Sequence, residues 1–362
     1  MSNDFYCLTI SHCEKLTKDS LLVSFDLPTE LQSKFNYQQG QHLTLKMIID
    51  GEEMRRSYSI CNGVNRQQLQ IAIKAIDQGV FSNYALQNFH AGMSIDIMPP
   101  QGHFYSELKS NASKNYCLIA VGSGITPILS HLESILSSEP NSRVTLLFGN
   151  RRSAEMMFRD QINFIKNEHL ARFQWLNFFT QEENDAVLLN GRISPQKIID
   201  LNDKKLMAIE HIDEVFICGP EALTLDLAKA FEFWKVSPHN IHYELFFSAA
   251  SEKKSVKKQK ERAQKYGEKV SQVTLKIAGR KTKMPIEMGG KNILDAAIEQ
   301  GADLPFSCKA GVCATCKAKV ISGKVDMDTN HSLTEPEIVA GMILTCQSHP
   351  ASESVEIDFD FS

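Results

Sequence analysis

The chain has 362 residues, a formal net charge of −4, and 43% hydrophobic against 23% charged residues. That length accommodates two or three domains with separate cores, and the slightly acidic balance argues against nucleic acid as a general partner. Met1-Ser2-Asn3-Asp4-Phe5 carries no basic segment followed by an apolar one, and no run approaches about 18 uninterrupted apolar residues, so a cytoplasmic protein without a membrane span is expected.

From Ser20 to Met98 the chain reads as short alternating runs: Leu43, Leu45 and Met47, then Leu69, Ile71 and Ile73, then Ile95 and Ile97. Period-two alternation with turns at Asp50-Gly51, Asn62-Gly63 and Pro99-Pro100 predicts antiparallel strands closing into a small barrel. One strand is chemically loaded: Arg55-Arg56-Ser57-Tyr58-Ser59-Ile60. An arginine grips phosphate, a tyrosine ring stacks on a flat heterocycle, and a serine hydroxyl bonds a ring nitrogen. The bland alternative is an exposed polar edge. Gly79-Val80-Phe81-Ser82 then opens a short helical pattern through Phe89, placing Ser82 near N–H groups that favour a pyrophosphate, or making it a plain cap.

Arg56-x-Tyr58-Ser59 followed by Gly79-x-Phe81-Ser82 resembles the flavin domain of the ferredoxin-NADP reductase superfamily. The resemblance implies that Arg56 contacts the flavin phosphate, Tyr58 stacks on the isoalloxazine, Ser59 bonds near N5 and Ser82 helps hold the pyrophosphate, with Ser57, Gly79 and Phe81 in the same cradle. Gln101-Gly102-His103-Phe104 closes the domain.

Tyr116 to Val121 is a compact apolar run leading into Gly122-Ser123-Gly124-Ile125-Thr126-Pro127, and behind it Ile128, Leu129, Leu132, Ile135 and Leu136 recur at helical spacing. The glycines therefore form a strand-to-helix turn of a βαβ unit, with Pro127 expected as the first helical residue. Two further strands, Val144 to Phe148 ending at Gly149-Asn150-Arg151-Arg152 and Val215 to Ile217 ending at Cys218-Gly219-Pro220, predict a doubly wound sheet with a crevice at the strand C-termini. G-x-G-x-T-P resembles the nucleotide domain of the same superfamily, which places Gly122, Gly124, Thr126, Pro127, Gly219 and Pro220 against the coenzyme and Cys218 beside the nicotinamide. By the same resemblance Glu244, in His242-Tyr243-Glu244-Leu245-Phe246, reaches the flavin edge; on its own it reads as a surface carboxylate on a last strand. Arg151 and Arg152 favour the 2′-phosphate of NADPH, while Gln181-Glu182-Glu183 pulls toward NADH.

Between Ser248 and Lys269 hydrophobicity collapses into lysine and glutamate, a composition expected for a solvated tether spanning roughly 25 Å, although it also permits a helix. Strands resume at Val273, Leu275 and Ile277. Asn292 to Ile298 then reads as a capped helix leading to Cys308-Lys309-Ala310-Gly311-Val312-Cys313-Ala314-Thr315-Cys316, with Cys346 far downstream. C-x4-C-x2-C…C is the spacing of a [2Fe–2S] loop. A zinc knuckle normally joins two close C-x2-C pairs, and here only Cys313 and Cys316 form one. The other five of the nine cysteines are scattered, which suits a reducing compartment. Lys309, Lys317 and Lys319 flank the loop and are candidates for steering an acidic partner, or are simple solubilising charges.

Asp303-Leu304-Pro305-Phe306-Ser307-Cys308, Gly311 to Cys316, Leu344-Thr345-Cys346-Gln347, Gly40-Gln41-His42-Leu43-Thr44-Leu45 and Gly122 to Pro127 together resemble the reductase subunits of bacterial phenylacetyl-CoA epoxidases. The resemblance implies a multidomain α+β and α/β chain: an antiparallel Greek-key FAD barrel (1–107), a doubly wound NAD(P) domain (108–247), a basic linker (248–268) and a β-grasp plant-type ferredoxin domain (269–362). It implies FAD, a [2Fe–2S] cluster on Cys308, Cys313, Cys316 and Cys346, and the oxygenase subunits of the epoxidase complex as partner, while Arg151 and Arg152 put NADPH ahead of NADH. The rival readings are a reductase for a Rieske oxygenase, FMN in place of FAD, and a metal-binding or redox-sensing module without turnover.

Overall fold

The computed structural model describes residues 5–66, 68–246, 258 and 261–361. They fall into two compact units, one holding Phe5–Met54 with Tyr58–Phe246 and the other Arg55–Ser57 with the described part of Phe247–Ser362.

The first unit begins with six antiparallel strands: β1 (Tyr6–Thr17), β2 (Ser20–Asp26), β3 (His42–Ile49), β4 (Glu52–Ser59), β5 (Leu69–Lys74) and β6 (Ser94–Gln101), in the order β4-β3-β6-β1-β2-β5. A bridge between Ile60 and Ile71 joins the two ends of that order, closing the barrel. The alternating residues point where the pattern predicts, with Leu43, Leu45, Leu69, Ile71, Ile73, Ile95 and Ile97 all in one core. The β3–β4 turn uses Asp50 (φ 52°) and Gly51 (φ 82°), the left-handed pair that matches the twist of a tight hairpin. Pro99-Pro100 is not a turn. Both prolines lie inside β6, next to the register shift between His42 and Thr44 of β3, where a missing N–H costs little.

Five parallel strands follow: β7 (Asn115–Val121), β8 (Arg143–Asn150), β9 (Phe173–Phe179), β10 (Glu214–Gly219) and β11 (Ile241–Leu245), ordered β11-β10-β7-β8-β9. The chain runs outward from β7 through β8 and β9, then crosses back to β10. The direction therefore reverses between β7 and β10, and their C-terminal ends open the crevice where doubly wound sheets take ligands. Helix α1 (Val80–Asn88) belongs to the barrel, and α2 (Ile125–Ser138) follows β7.

Helix α2 is buried from Ile125 through Leu136, its polar positions included, because it packs between sheet and barrel. Its polar residues are partnered across the barrel: the Glu133 carboxylate accepts the Gly63 N–H at 2.8 Å and the Arg66 guanidinium at 2.7 Å, and the Ser130 hydroxyl donates to the Asn62 carbonyl at 2.8 Å. Cys61, Ala72 and Phe104 of the barrel share a core with Leu118, Ile128 and Phe216, so the barrel and the sheet meet through one continuous apolar contact.

In the second unit β12 (Val270–Ile277), β13 (Arg280–Glu287), β14 (Lys317–Ser322), β16 (Met342–Leu344) and β18 (Ser354–Asp358) form a mixed sheet in the order β13-β12-β18-β14-β16, with β15 (Val325–Met327) paired to β17 (Ser348–Pro350) beside it. The helix Ile293–Glu299 packs across this sheet and starts as expected, the Asn292 side chain accepting the Asp295 N–H at 2.8 Å. Residues 261–266 are helical, so the described end of the lysine-rich segment is ordered on this unit; the tether expected earlier in it lies outside the described residues. Among the described residues no helix is long and apolar enough to cross a membrane.

Candidate functional site

Gly122-Ser123-Gly124 forms a single 3-10 turn between β7 and α2. Gly124 is required by space: a Cβ there would lie 2.2 Å from the Cys218 carbonyl oxygen. Gly122 answers a different need, a φ of +56°. The helix starts two residues earlier than its proline suggests. Ile125 is its first residue and Pro127 its third, still within the first turn, where no N–H is missed. The Thr126 hydroxyl donates to the Ser123 carbonyl at 3.0 Å and so holds the turn shut. On the other wall Gly219 leaves room for Val121, whose Cβ would be 3.1 Å from an added methyl. Together these place the β7 and β10 strand ends close, beside the start of α2.

The register of β10 on β11 sets Cys218 directly opposite Glu244. From the barrel, the Ser59 hydroxyl donates to Glu244 Oε2 at 3.3 Å. Residues 185 positions apart in sequence thus meet in one place. Glu244 is partly buried, not the surface carboxylate of the bland reading, and loss of solvent pushes its pKa up to about 7 against the lowering effect of Ser59. Cys218 is 1% exposed, and burial first, then Glu244, pushes its thiol up, so it is a neutral contact surface and not a nucleophile.

On the barrel, Tyr58 is half-buried beside Phe81, ring centroids 5.8 Å apart, which builds one aromatic wall from β4 and α1. Arg56 is exposed, its guanidinium donating to the Arg55 carbonyl at 2.7 Å, and Ser57 is half-buried next to it. Ser82 is the third residue of α1 and not its cap, the cap position being Gly79. Its hydroxyl turns into the preceding loop, accepting the Ile76 N–H at 3.2 Å and donating to the Gly79 carbonyl at 3.3 Å. A side chain at Gly79 would meet that hydroxyl at 2.7 Å, which explains the glycine.

Arg151 and Arg152 are both exposed at the C-terminal end of β8. Glu182 is already committed: its Oε2 accepts the Ser153 N–H at 2.8 Å and the Ser153 hydroxyl at 3.0 Å, and these bonds hold its pKa low, helped by Arg152 and Arg159. A groove of about 810 Å³ lined by Asn115, Arg143, Arg172 and Lys205 opens at the opposite, N-terminal, ends of the strands, away from the glycine turn.

Cysteines 308, 313, 316 and 346 come together in the second unit. The Cys308 thiol is held down, first by a hydrogen bond from Cys313 and then, against burial, by the N–H groups of Ala310, Val312 and Cys313. Cys346 is pushed up by its bond to Cys316, by burial and by the nearby Cys308 and Cys313. Gly311 (φ +75°) and Ala314 (φ 53°) give the loop its tight curl. Backbone donors aimed at sulfur are what a thiolate-ligated cluster needs. Among the described residues no three His, Cys, Asp or Glu side chains are grouped around a single metal ion; a two-iron centre with two thiolates on each iron does not require it. Lys317 is a correction: it is 8% exposed and bonded to Glu337 at 2.9 Å, which takes it out of any partner surface, while Lys309 pairs with Asp295 at 2.6 Å.

Sequence reasoning overlooked a polar cluster at the N-terminal end of β10, opposite the crevice. The Glu214 carboxylate, on β10, accepts from Lys114 at 2.8 Å and from His242 at 2.9 Å, and the His242 ring stacks on Phe216 with centroids 4.5 Å apart. A glutamate opening an otherwise apolar strand was the available signal.

Three family models match in order: an oxidoreductase FAD-binding domain over residues 7–105, an oxidoreductase NAD-binding domain over 118–229 and a 2Fe-2S iron-sulfur cluster binding domain over 275–351. One of the subunits of 1,2-phenylacetyl-CoA epoxidase from Escherichia coli K12 is 42% identical over 98% of both chains. The chain belongs to the family of that epoxidase component. It is an NAD(P)H-dependent oxidoreductase with FAD and [2Fe–2S] domains, and its role is electron transfer. The ferredoxin reductase component of a 3-ketosteroid-9-alpha-monooxygenase from Mycobacterium tuberculosis is 30% identical over 90% of this chain and 86% of its own length. Phthalate dioxygenase reductase shares the fold along 99% of this chain and 98% of its own, with a TM-score of 0.61 at 22% identity.

Proposed function

We propose that this chain is the reductase of a phenylacetyl-CoA epoxidase, drawing on NADPH ahead of NADH and delivering electrons to the oxygenase subunits of that complex in the cytoplasm. The observation that carries the reading is identity of 42% sustained over 98% of both chains with an epoxidase component, against 30% for the steroid monooxygenase reductase that supports the Rieske alternative. FAD bound here supplies the conversion of a two-electron hydride into single electrons, which the [2Fe–2S] cluster passes on.

We assign domain boundaries at 1–107, 108–247, 248–268 and 269–362. Arg56, Ser57, Tyr58, Ser59, Gly79, Phe81 and Ser82 form the flavin cradle, with Ser82 acting through the loop it pins. Gly122, Gly124, Thr126, Pro127, Cys218, Gly219 and Pro220 receive the coenzyme, and Arg151 and Arg152 its 2′-phosphate, Glu182 being engaged by Ser153. Ser59 and Glu244 orient the reacting rings, and Cys218 packs beside the nicotinamide. Cys308, Cys313, Cys316 and Cys346 hold the cluster.

The test uses purified protein, NADPH and the oxygenase subunits of phenylacetyl-CoA epoxidase beside a Rieske oxygenase. Turnover with the first and none with the second is expected. Cys313→Ser should keep NADPH oxidation with a flavin-level dye yet lose oxygenase turnover by at least about 100-fold. Equal turnover by the Cys313→Ser protein contradicts the assignment.

A further inference from the structure

The basic segment that precedes the cluster domain ends as part of that domain. Its helical residues 261–266 lie against Gly289, where a Cβ would sit 2.7 Å from the Gly267 carbonyl oxygen and 3.2 Å from Ala263 Cα. Glycine is needed there for space alone. The Met288 N–H then donates to the Lys269 carbonyl at 2.8 Å, tying the exit of the segment to the sheet.

From this helix Arg262 turns inward. It is 5% exposed and pairs through Nη2 with the Asp328 carboxylate, while Lys258 reaches the Asp328 carbonyl. The other Asp328 oxygen faces His349 Nε2 at 3.3 Å. A buried guanidinium–carboxylate pair is costly to break, since either partner alone is left as an uncompensated charge.

Bonds lead from Asp328 to the cysteines. The Asp328 N–H donates to the Gln347 carbonyl at 2.7 Å, and the Gln347 side-chain amide donates to the Cys346 carbonyl at 3.0 Å and to the Lys309 carbonyl at 2.9 Å. Gln347 therefore spans the segment carrying Cys346 and the loop carrying Cys308, Cys313 and Cys316. It also packs on Gly311, where a Cβ would meet its Cγ at 2.9 Å. A cavity of about 550 Å³ is lined by Arg262, Asp328, Cys346, Gln347 and His349 together, so the ion pair and a cysteine share one wall. Among the described residues, Arg262 Nε and Nη1 and His349 Nδ1 are buried there without a partner.

We propose that Arg262 is a positioning residue for the iron–sulfur cluster: through Asp328 and Gln347 it sets where the Cys346 segment stands against the Cys308–Cys316 loop. The inference rests on the reading of Cys346 as a cluster ligand. Groups one step behind the ligands fix ligand orientation and tune the metal.

The experiment uses full-length holoprotein and compares wild type with Arg262→Gln, Arg262→Lys, Asp328→Asn and Cys346→Ser. The readouts are the electron paramagnetic resonance spectrum of the reduced cluster, its midpoint potential and the rate of iron loss to a chelator. Arg262→Gln and Asp328→Asn should shift spectrum and potential in the same direction and release iron roughly ten-fold faster, with Arg262→Lys between them and wild type. A wild-type spectrum, potential and chelation rate in Arg262→Gln overturns the proposal. If Arg262→Gln does not accumulate as folded protein, Gly289→Val, which displaces the helix without changing charge, is read by the same criteria. Cys346→Ser separates the two claims. An undisturbed cluster in Cys346→Ser sinks the ligand assignment, whereas a disturbed one beside an undisturbed Arg262→Gln overturns the positioning role alone.

Discussion

Glu244 carries the sharpest residue-level consequence. Burial pushes its carboxyl from an ordinary 4.5 up to about 7, so the folded chain holds this proton more tightly than the unfolded chain does. The stability it contributes is therefore complete below pH 4.5 and is lost as pH rises through about 7. The same carboxyl, through Oε2, accepts the Ser59 hydroxyl at 3.3 Å, in the pair we assign to orienting the reacting rings. The rate of flavin reduction by NADPH, followed in single turnovers, should show a step near pH 7 in the wild type and none in Glu244→Gln, with the variant slower by about ten-fold. A step that survives the substitution belongs to another group. The family resemblance marked Ser59 and Glu244 separately as candidates. Their meeting was not legible, because it depends on how barrel and sheet dock, and no local periodicity encodes that. The reverse held at Lys317: its place beside the cluster loop was plain, but its burial against Glu337 follows from a capping box at Thr334 in another element.

At the scale of elements, β10 is fastened to both neighbours by Glu214. Burial would raise this carboxyl, but bonds from His242 and Lys114 outweigh it and bring it down to about 2. A depressed carboxylate contributes stability above its unfolded pKa and loses it as pH falls, here between 4.5 and about 2. Urea unfolding of Glu214→Gln should show lower stability than wild type at about pH 6 and a flatter decline toward about pH 3; parallel acid limbs for the two proteins would refute the role. The strands themselves were readable wherever one face was buried, as in β3, β5 and β8. Strand β1 escaped because only Leu8 and Ile10 of its 12 residues are fully buried, so its alternation is faint. Helix α2 announced itself by apolar spacing, but the burial of Ser130, His131 and Glu133 did not, since polar side chains read as solvent-facing unless their partners are known.

For the whole molecule, domain order was legible from three local signatures: a loaded strand, a glycine turn after an apolar run, and a cysteine loop. Each signature is short because the chemistry it serves is local. The basic segment was harder. Its composition allowed tether or helix, and the outcome at residues 261–266 depends on Gly289 and Asp328, which lie beyond it in sequence.

The central claim is that reducing equivalents enter in pairs at the flavin and leave singly through the cluster. An anaerobic NADPH titration of the full-length holoprotein, followed by visible absorbance and electron paramagnetic resonance, tests it most directly. The account predicts uptake of about three electrons per chain, two at the flavin and one at the cluster, falling to about two in Cys313→Ser with flavin bleaching intact. Uptake that ends at the flavin in the wild type, with no cluster signal appearing, would contradict it.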